Sequence, residues 1–237
     1  MIERRTIDYS HDGDALEGLF VFDPQAGPRP TVIVVHTFVG RGPNEEAVAE
    51  RLAGLGYNAF AADLYGKGVL GTTREECSAL MQPFLDDRAR LQARMLAVLE
   101  TVRGLAEVNP ARIVAIGYCF GGLCVLDLAR TGADLAGVAS VHGLFGAPGN
   151  CEGTKITAKV VAFHGWDDPM VPPEAVTALG KELTAAGADW QIHAYGGVMH
   201  GFTNPKAAAP ENGVLYDAAA DRRSWASLRL FLEECFA

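Results

Sequence analysis

A doubly wound, mostly parallel β-sheet with helices on both faces is the fold class this α/β sequence predicts. Three observations carry the prediction. From Thr31 onward, short apolar runs alternate with helix-patterned stretches, the signature of β–α–β units. The inner runs, Thr31-Val32-Ile33-Val34-Val35 and Arg112-Ile113-Val114-Ala115-Ile116, lack polar alternation, as strands covered on both faces do. Third, Gly117-Tyr118-Cys119-Phe120-Gly121 stands between such a run and a helix-like stretch from Phe120 to Arg130, giving strand, sharp turn and helix with a thiol at the apex. No internal repeat or linker interrupts the pattern, so residues 1–237 read as one domain.

Composition bounds the function. Hydrophobic residues make up 49% of the chain, enough for a full core. A net charge of −9 argues against nucleic acid or an anionic membrane as partner. Met1-Ile2-Glu3-Arg4-Arg5 does not read as a signal peptide, and no apolar run approaches the ~20 residues of a membrane span. Five cysteines, at 77, 119, 124, 151 and 235, lack disulfide-framework spacing and point to a reducing cytoplasm. Nothing in the spacing suggests zinc or a phosphate cradle, so no metal and no cofactor are expected. A monomer is the default expectation, with a homodimer as the alternative.

Element by element, Arg5–Tyr9 and Leu16–Phe22 read as strands around a turn at His11-Asp12-Gly13-Asp14, with His11 a plain turn residue. A Pro/Gly-rich link leads to the Thr31–Val35 strand and the loop His36-Thr37-Phe38-Val39-Gly40. Asn44–Leu55 is helix-like, with Asn44 as cap and Gly56 as terminator. Tyr57–Ala62 follows as a strand and delivers Asp63-Leu64-Tyr65. Thr73–Leu105 is the longest helical pattern; Pro83 should break or kink it, and its charged face reads as solvated surface. Beyond the thiol turn come a strand over Leu135–His142, a short Gly-rich connection over Gly143–Lys159, and a strand over Val160–His164. A helix over Pro172–Ala186, a last strand at Trp190–Tyr195 and a closing helix over Asp217–Glu234 complete the chain.

The Gly-x-Cys-x-Gly unit has the form of a nucleophile elbow, written with Cys where Ser is usual. Such a nucleophile needs an acid and then a base, in that chain order, at the carboxyl edge of the sheet. Asp168, in Gly165-Trp166-Asp167-Asp168-Pro169-Met170-Val171, is the candidate acid, with Asp167 one residue away as the alternative. His200, in Gly197-Val198-Met199-His200-Gly201-Phe202, is the candidate base. His36 and His164 also end strands and read as supporting packing, whereas His142 is a candidate pocket residue. The parts suggest attack by Cys119 on an ester carbonyl, with the oxyanion held by the backbone N–H groups of Phe38 and Phe120 and a thioester intermediate released by water.

With these residues in place, the chain resembles the dienelactone hydrolase family over nearly its whole length. The matching landmarks are the His36–Gly40 loop, Gly54-x-Gly56-Tyr57, Asp63-Leu64-Tyr65, Gly117-Tyr118-Cys119-Phe120-Gly121-Gly122, the Asp168 turn and His200-Gly201-Phe202. The resemblance implies a small, lidless α/β-hydrolase with a Cys-His-Asp triad. It also exposes two departures. Family members that open dienelactones carry a Glu where this chain has Thr37, and an Arg four residues after the His, where this chain has Asn204. Without those groups a neutral aryl or short-chain ester is the expected substrate. Phe38, Tyr118, Trp166, Met199 and Phe202 are the expected lining, with ordinary core packing as the alternative for each, and no cation is evident among them. Similarity to dienelactone-hydrolase-like proteins with promiscuous activity adds metal-independent phosphotriester hydrolysis as a further expectation. The competing readings are a true dienelactone (carboxymethylenebutenolide) hydrolase and, in another class, a redox-sensing thiol on a hydrolase scaffold.

Overall fold

The computed structural model describes residues 1–237. An eight-stranded sheet runs through it in the order β1-β2-β4-β3-β5-β6-β7-β8. The hairpin β1 (Glu3–His11) and β2 (Asp14–Phe22) adds to β4 (Asn58–Ala62) antiparallel. From β4 on, neighbouring strands are parallel: β3 (Arg29–Val35), β5 (Val108–Tyr118), β6 (Gly137–Val141), β7 (Lys159–Gly165) and β8 (Trp190–Tyr195). This is the α/β-hydrolase sheet that the sequence leads one to expect, with two antiparallel strands at one edge.

The helices divide between the faces as the two buried clusters show. Leu52 of α1 (Pro43–Ala53) and Leu228, Phe231 and Leu232 of α6 (Ala218–Cys235) pack on one face, against Val34, Ile116 and Phe163. On the other, α2 (Arg74–Asp86), α3 (Arg88–Arg103), α4 (Phe120–Arg130) and α5 (Pro173–Ala185) cover Ile33, Ala115 and Ala162. Successive strand residues point to opposite faces, so one apolar strand feeds both layers. No helix is long and apolar enough to cross a membrane.

Local details depart from the sequence reading in informative ways. Gly42, not Asn44, is the N-cap of α1; Pro43 takes the first helical position and the Glu45 carboxylate reaches back to the Gly42 N–H at 3.0 Å. Gly56 does close that helix, at φ 96°, with its N–H on the Ala53 carbonyl and that of Tyr57 on Leu52, a Schellman arrangement. The long helical pattern is two helices, and the break falls at Asp87 rather than Pro83. Asp87 ends α2 and its side chain accepts the Arg90 N–H at 2.9 Å, a cap that outcompetes helix continuation. The charged face of this pattern is not all solvated: Arg94 is fully buried, donating to the Leu64 carbonyl at 2.8 Å, to Asp14, and to the ring of His11, which is therefore more than a turn residue. Finally, Trp190–Tyr195 is not the last strand. A two-stranded ribbon, β9 (Ala208–Ala209) and β10 (Val214–Leu215), follows it and proves important for the site.

Candidate active site

Cys119 sits between β5 and α4 with φ 55° and ψ −115°, backbone angles that an L-residue adopts only under constraint. The constraint is visible at its flanks. A side-chain carbon on Gly117 would lie 2.0 Å from the Gly121 carbonyl oxygen, and one on Gly121 would lie 2.4 Å from that of Val35. Strand, turn and helix therefore close on one another only because both positions lack Cβ. The turn leaves the thiol partly exposed at the carboxyl edge of the sheet, above the first turn of α4. The Cys119 N–H is spent on the Val141 carbonyl at 3.1 Å. Those of Phe120, first in its helix, and Phe38 donate to no protein group, as an anion-holding pair must.

The loop carrying Phe38 is braced from below by Asp63-Leu64-Tyr65. The Tyr65 hydroxyl donates to the Phe38 carbonyl at 3.2 Å, and the Leu64 N–H donates to His36 Nε2 at 3.2 Å. His36 Nδ1 lies 2.6 Å from the Thr37 carbonyl, which fixes a neutral tautomer with the proton on Nδ1. Burial pushes this imidazole down to about 4, against the opposing pull of the Thr37 carbonyl and Asp63. His36 is thus a packed support. His164 is likewise buried, among Phe145 and Trp166, and neither ring nitrogen makes a hydrogen bond; burial pushes this imidazole down, against the pull of Asp168.

Asp168 and His200 come together as placed by the sequence. The Asp168 Oδ2 accepts from His200 Nδ1 at 2.7 Å while its Oδ1 accepts the Met170 N–H at 2.9 Å, and both residues are buried. Asp167 is exposed and makes no such contact. His200 Nε2 has no hydrogen-bond partner in the protein, and the Cys119 thiol is near enough to raise its pKa. Resting sites often show such loose geometry. Burial works against the His200 imidazolium, but the Asp168 bond and the Cys119 sulfur outweigh it and lift this histidine to about 10. The ribbon holds the ring in place from behind: the His200 N–H donates to the Gly213 carbonyl at 2.9 Å and its carbonyl accepts from Leu215 at 3.1 Å.

These groups open onto a cavity of about 420 Å³ that runs from Cys119 between α1 and α6. Thr37, Phe38, Tyr118, His142 and Asn204 line it. His142, at φ 39°, faces His200 edge-on at 5.2 Å and bonds Thr203 Oγ1 at 2.9 Å through Nε2. Three expected lining residues are elsewhere. Trp166 lies beyond the acid turn, 44% exposed, outside the cavity wall. Met199, half-buried, precedes His200 but takes no part in the cavity wall. Phe202 is fully buried behind His142, ring against ring at 5.2 Å. Two helix faces missing from the sequence reading take their place: Glu45, Val48 and Arg51 of α1, and Asp221, Trp225 and Leu228 of α6. Arg51, stacked 3.5 Å over the Trp225 ring, is the cation that the sequence reading did not find. Spacings of three and four residues hinted at each face, but only the fold brings the two helices together at the end of β5.

Comparison with known proteins now bears on this geometry. The model of the dienelactone hydrolase family matches residues 16–236. The chain belongs to the dienelactone hydrolase family. As a family member it is a hydrolase acting on ester bonds. Its backbone superposes with a TM-score of 0.93 on the crystal structure of a dienelactone hydrolase-like promiscuous phosphotriesterase from metagenomic libraries, at 35% identity over 100% of this chain and 99% of the other. A putative carboxymethylenebutenolidase of Synechocystis is 28% identical over 89% of this chain and 88% of its own length. An uncharacterised protein of Caenorhabditis elegans is 35% identical over 64% of this chain and 98% of its own.

Proposed function

We propose that this dienelactone hydrolase family member is a cysteine-nucleophile esterase of neutral aryl or short-chain esters. The observation that carries the reading is the buried Asp168–His200 pair, 2.7 Å apart, with the free Nε2 directed at a thiol held on a constrained turn. His200 carries the thiol proton on Nε2 as an imidazolium at neutral pH, and Asp168 holds its orientation and stabilises that cation. Cys119 Sγ then bonds to the ester carbonyl carbon, whose oxygen takes the negative charge and is held by the N–H groups of Phe38 and Phe120. Collapse breaks the ester C–O bond, and the alcohol leaves with the proton from His200. Water, deprotonated by His200, attacks the thioester, and the acid departs as the thiol is restored.

A second reading is favoured by the metagenomic phosphotriesterase at 35% identity and full coverage. In it the same sulfur attacks phosphorus of a neutral aryl triester, expels the aryloxide, and the S–P bond is hydrolysed to a dialkyl phosphate. The test is kcat/KM for a neutral aryl ester, an anionic dienelactone and a neutral aryl phosphotriester on one sample, each repeated with a chelator present. The expected order puts the neutral ester first, with triester turnover unaffected by chelator. Dienelactone ranking first would overturn the neutral-ester reading, and chelator-sensitive triester turnover would overturn the thiol mechanism on phosphorus.

A further inference from the structure

The cavity wall holds a carboxylate that the mechanism above does not use. Glu45 is 4% exposed and lines the same cavity as Cys119. It makes no ion pair with any Lys, Arg or His of the chain. Burial pushes this carboxyl group up from its ordinary pKa, while main-chain N–H groups favour its charged form: that of Gly42 at 3.0 Å, with those of Glu45 itself and Thr37 also directed at it. A buried carboxylate without a cation is costly to keep, and main-chain donors offset part of that cost without cancelling its field.

The other charged side chains of the wall do not neutralise it. Arg51 is exposed and stacked on Trp225, where water and salt screen it. Asp221, also in the wall, is itself acidic and accepts from the Tyr216 hydroxyl at 3.2 Å. His200 is matched by Asp168. A substrate entering the cavity therefore meets a carboxylate with no cation of its own in the wall beside the Thr37 N–H, one residue from the Phe38 N–H assigned to the oxyanion.

We infer that Glu45 is a specificity-determining residue, whose buried carboxylate makes the cavity select neutral esters and reject acyl groups that carry a negative charge. The inference rests on the esterase reading above. It accounts for selectivity against anions without appeal to Thr37 or Asn204, which lack charge but repel nothing. Two unit charges several ångströms apart at an effective dielectric of about 20 interact strongly enough to alter a rate ratio about tenfold or more.

The experiment compares para-nitrophenyl isocaproate with the near-isosteric mono-para-nitrophenyl succinate, corrected for spontaneous hydrolysis, on the full chain and on Glu45→Gln. The quantity read is the ratio of the two kcat/KM values. The carboxamide keeps the size and removes the charge, so the preference for the neutral ester should fall about tenfold or more. A merely structural role would lower both values together and leave the ratio where it was, and that result would overturn the inference. Glu45→Met, apolar and length-matched, gives the same reading should Glu45→Gln fail to fold. A parent protein that hydrolyses neither ester would overturn the esterase reading, and this inference with it; turnover with an unchanged ratio overturns this inference alone.

Discussion

At the residue scale, the account depends on two neighbouring carboxylates having different fates. Asp168 is buried on His200 Nδ1, and Asp167 points to water. Asp168→Asn should lower kcat about 10⁴-fold, because the amide favours the wrong imidazole tautomer. Asp167→Asn, at an exposed position, should change little. Stopped-flow kinetics on the two variants distinguishes them. His200 gives a second expectation. Its folded pKa is raised, to about 10, above the ~6.5 of an unfolded histidine. The native state therefore holds a proton that the unfolded chain releases above ~6.5. The stability this histidine contributes is complete below that pH and is lost as pH rises through about 10. An NMR titration of the His200 ring should show a midpoint far above 6.5 that falls in Asp168→Asn; an unshifted midpoint would contradict the assignment of Asp168 and Cys119 as its partners. The order of the three candidate residues was legible in the sequence because an elbow and two strand-end loops carry local signatures. The failure at Trp166 and Phe202 is instructive: an aromatic close in sequence to a functional residue can face away from it, and its direction is set by packing that no short motif records.

At the scale of elements, the unforeseen ribbon does the most for the site. Residues Ala208–Ala209 and Val214–Leu215 pair over two residues each, too short to leave a periodic pattern, yet they bracket His200 from behind. Gly213 sits at its turn with φ 71°, and a Cβ there would lie 2.2 Å from Pro169, next to the acid. Gly213→Ala should therefore destabilise by about 1–3 kcal/mol through the positive φ alone and lower kcat further by displacing the Asp168 and His200 loops. Thermal melts and kcat measured together check this, and a variant with normal kcat would show that the ribbon does not position His200. The division of the 73–105 pattern is a parallel case. Asp87 as a mid-pattern cap is readable in hindsight, whereas Pro83 drew the break toward itself because proline is the louder local signal. Asp87→Ala should cost about 1 kcal/mol in chemical denaturation.

For the whole molecule, the mostly parallel sheet and the two-faced packing followed from apolar runs and short connections, whereas the strand order, with β4 between β2 and β3, was not legible in the sequence. What the chain did not reveal is which helices meet. The cavity exists because α1 and α6, far apart in sequence, cover the same face beside the end of β5. Long-range ties hold the opposite face together: Arg130 of α4, almost fully buried, reaches Asp127, Glu182 of α5 and the Phe145 carbonyl of the connecting segment. Arg130→Met should cost about 1–3 kcal/mol, because it leaves part-exposed Glu182 without its cation and buried Asp127 with Arg88 alone. Its Tm should drop while the elbow geometry is untouched, and a Tm equal to that of the parent would contradict the role given to this network. All of these ties serve to present one sulfur at the sheet edge. The central claim is that this sulfur forms the bond to the substrate, and its most direct test is kcat/KM of Cys119→Ala on a neutral aryl ester. The account expects a loss of about 10³-fold or more with the fold intact; turnover within about tenfold of the parent would contradict it and assign the chemistry to another group.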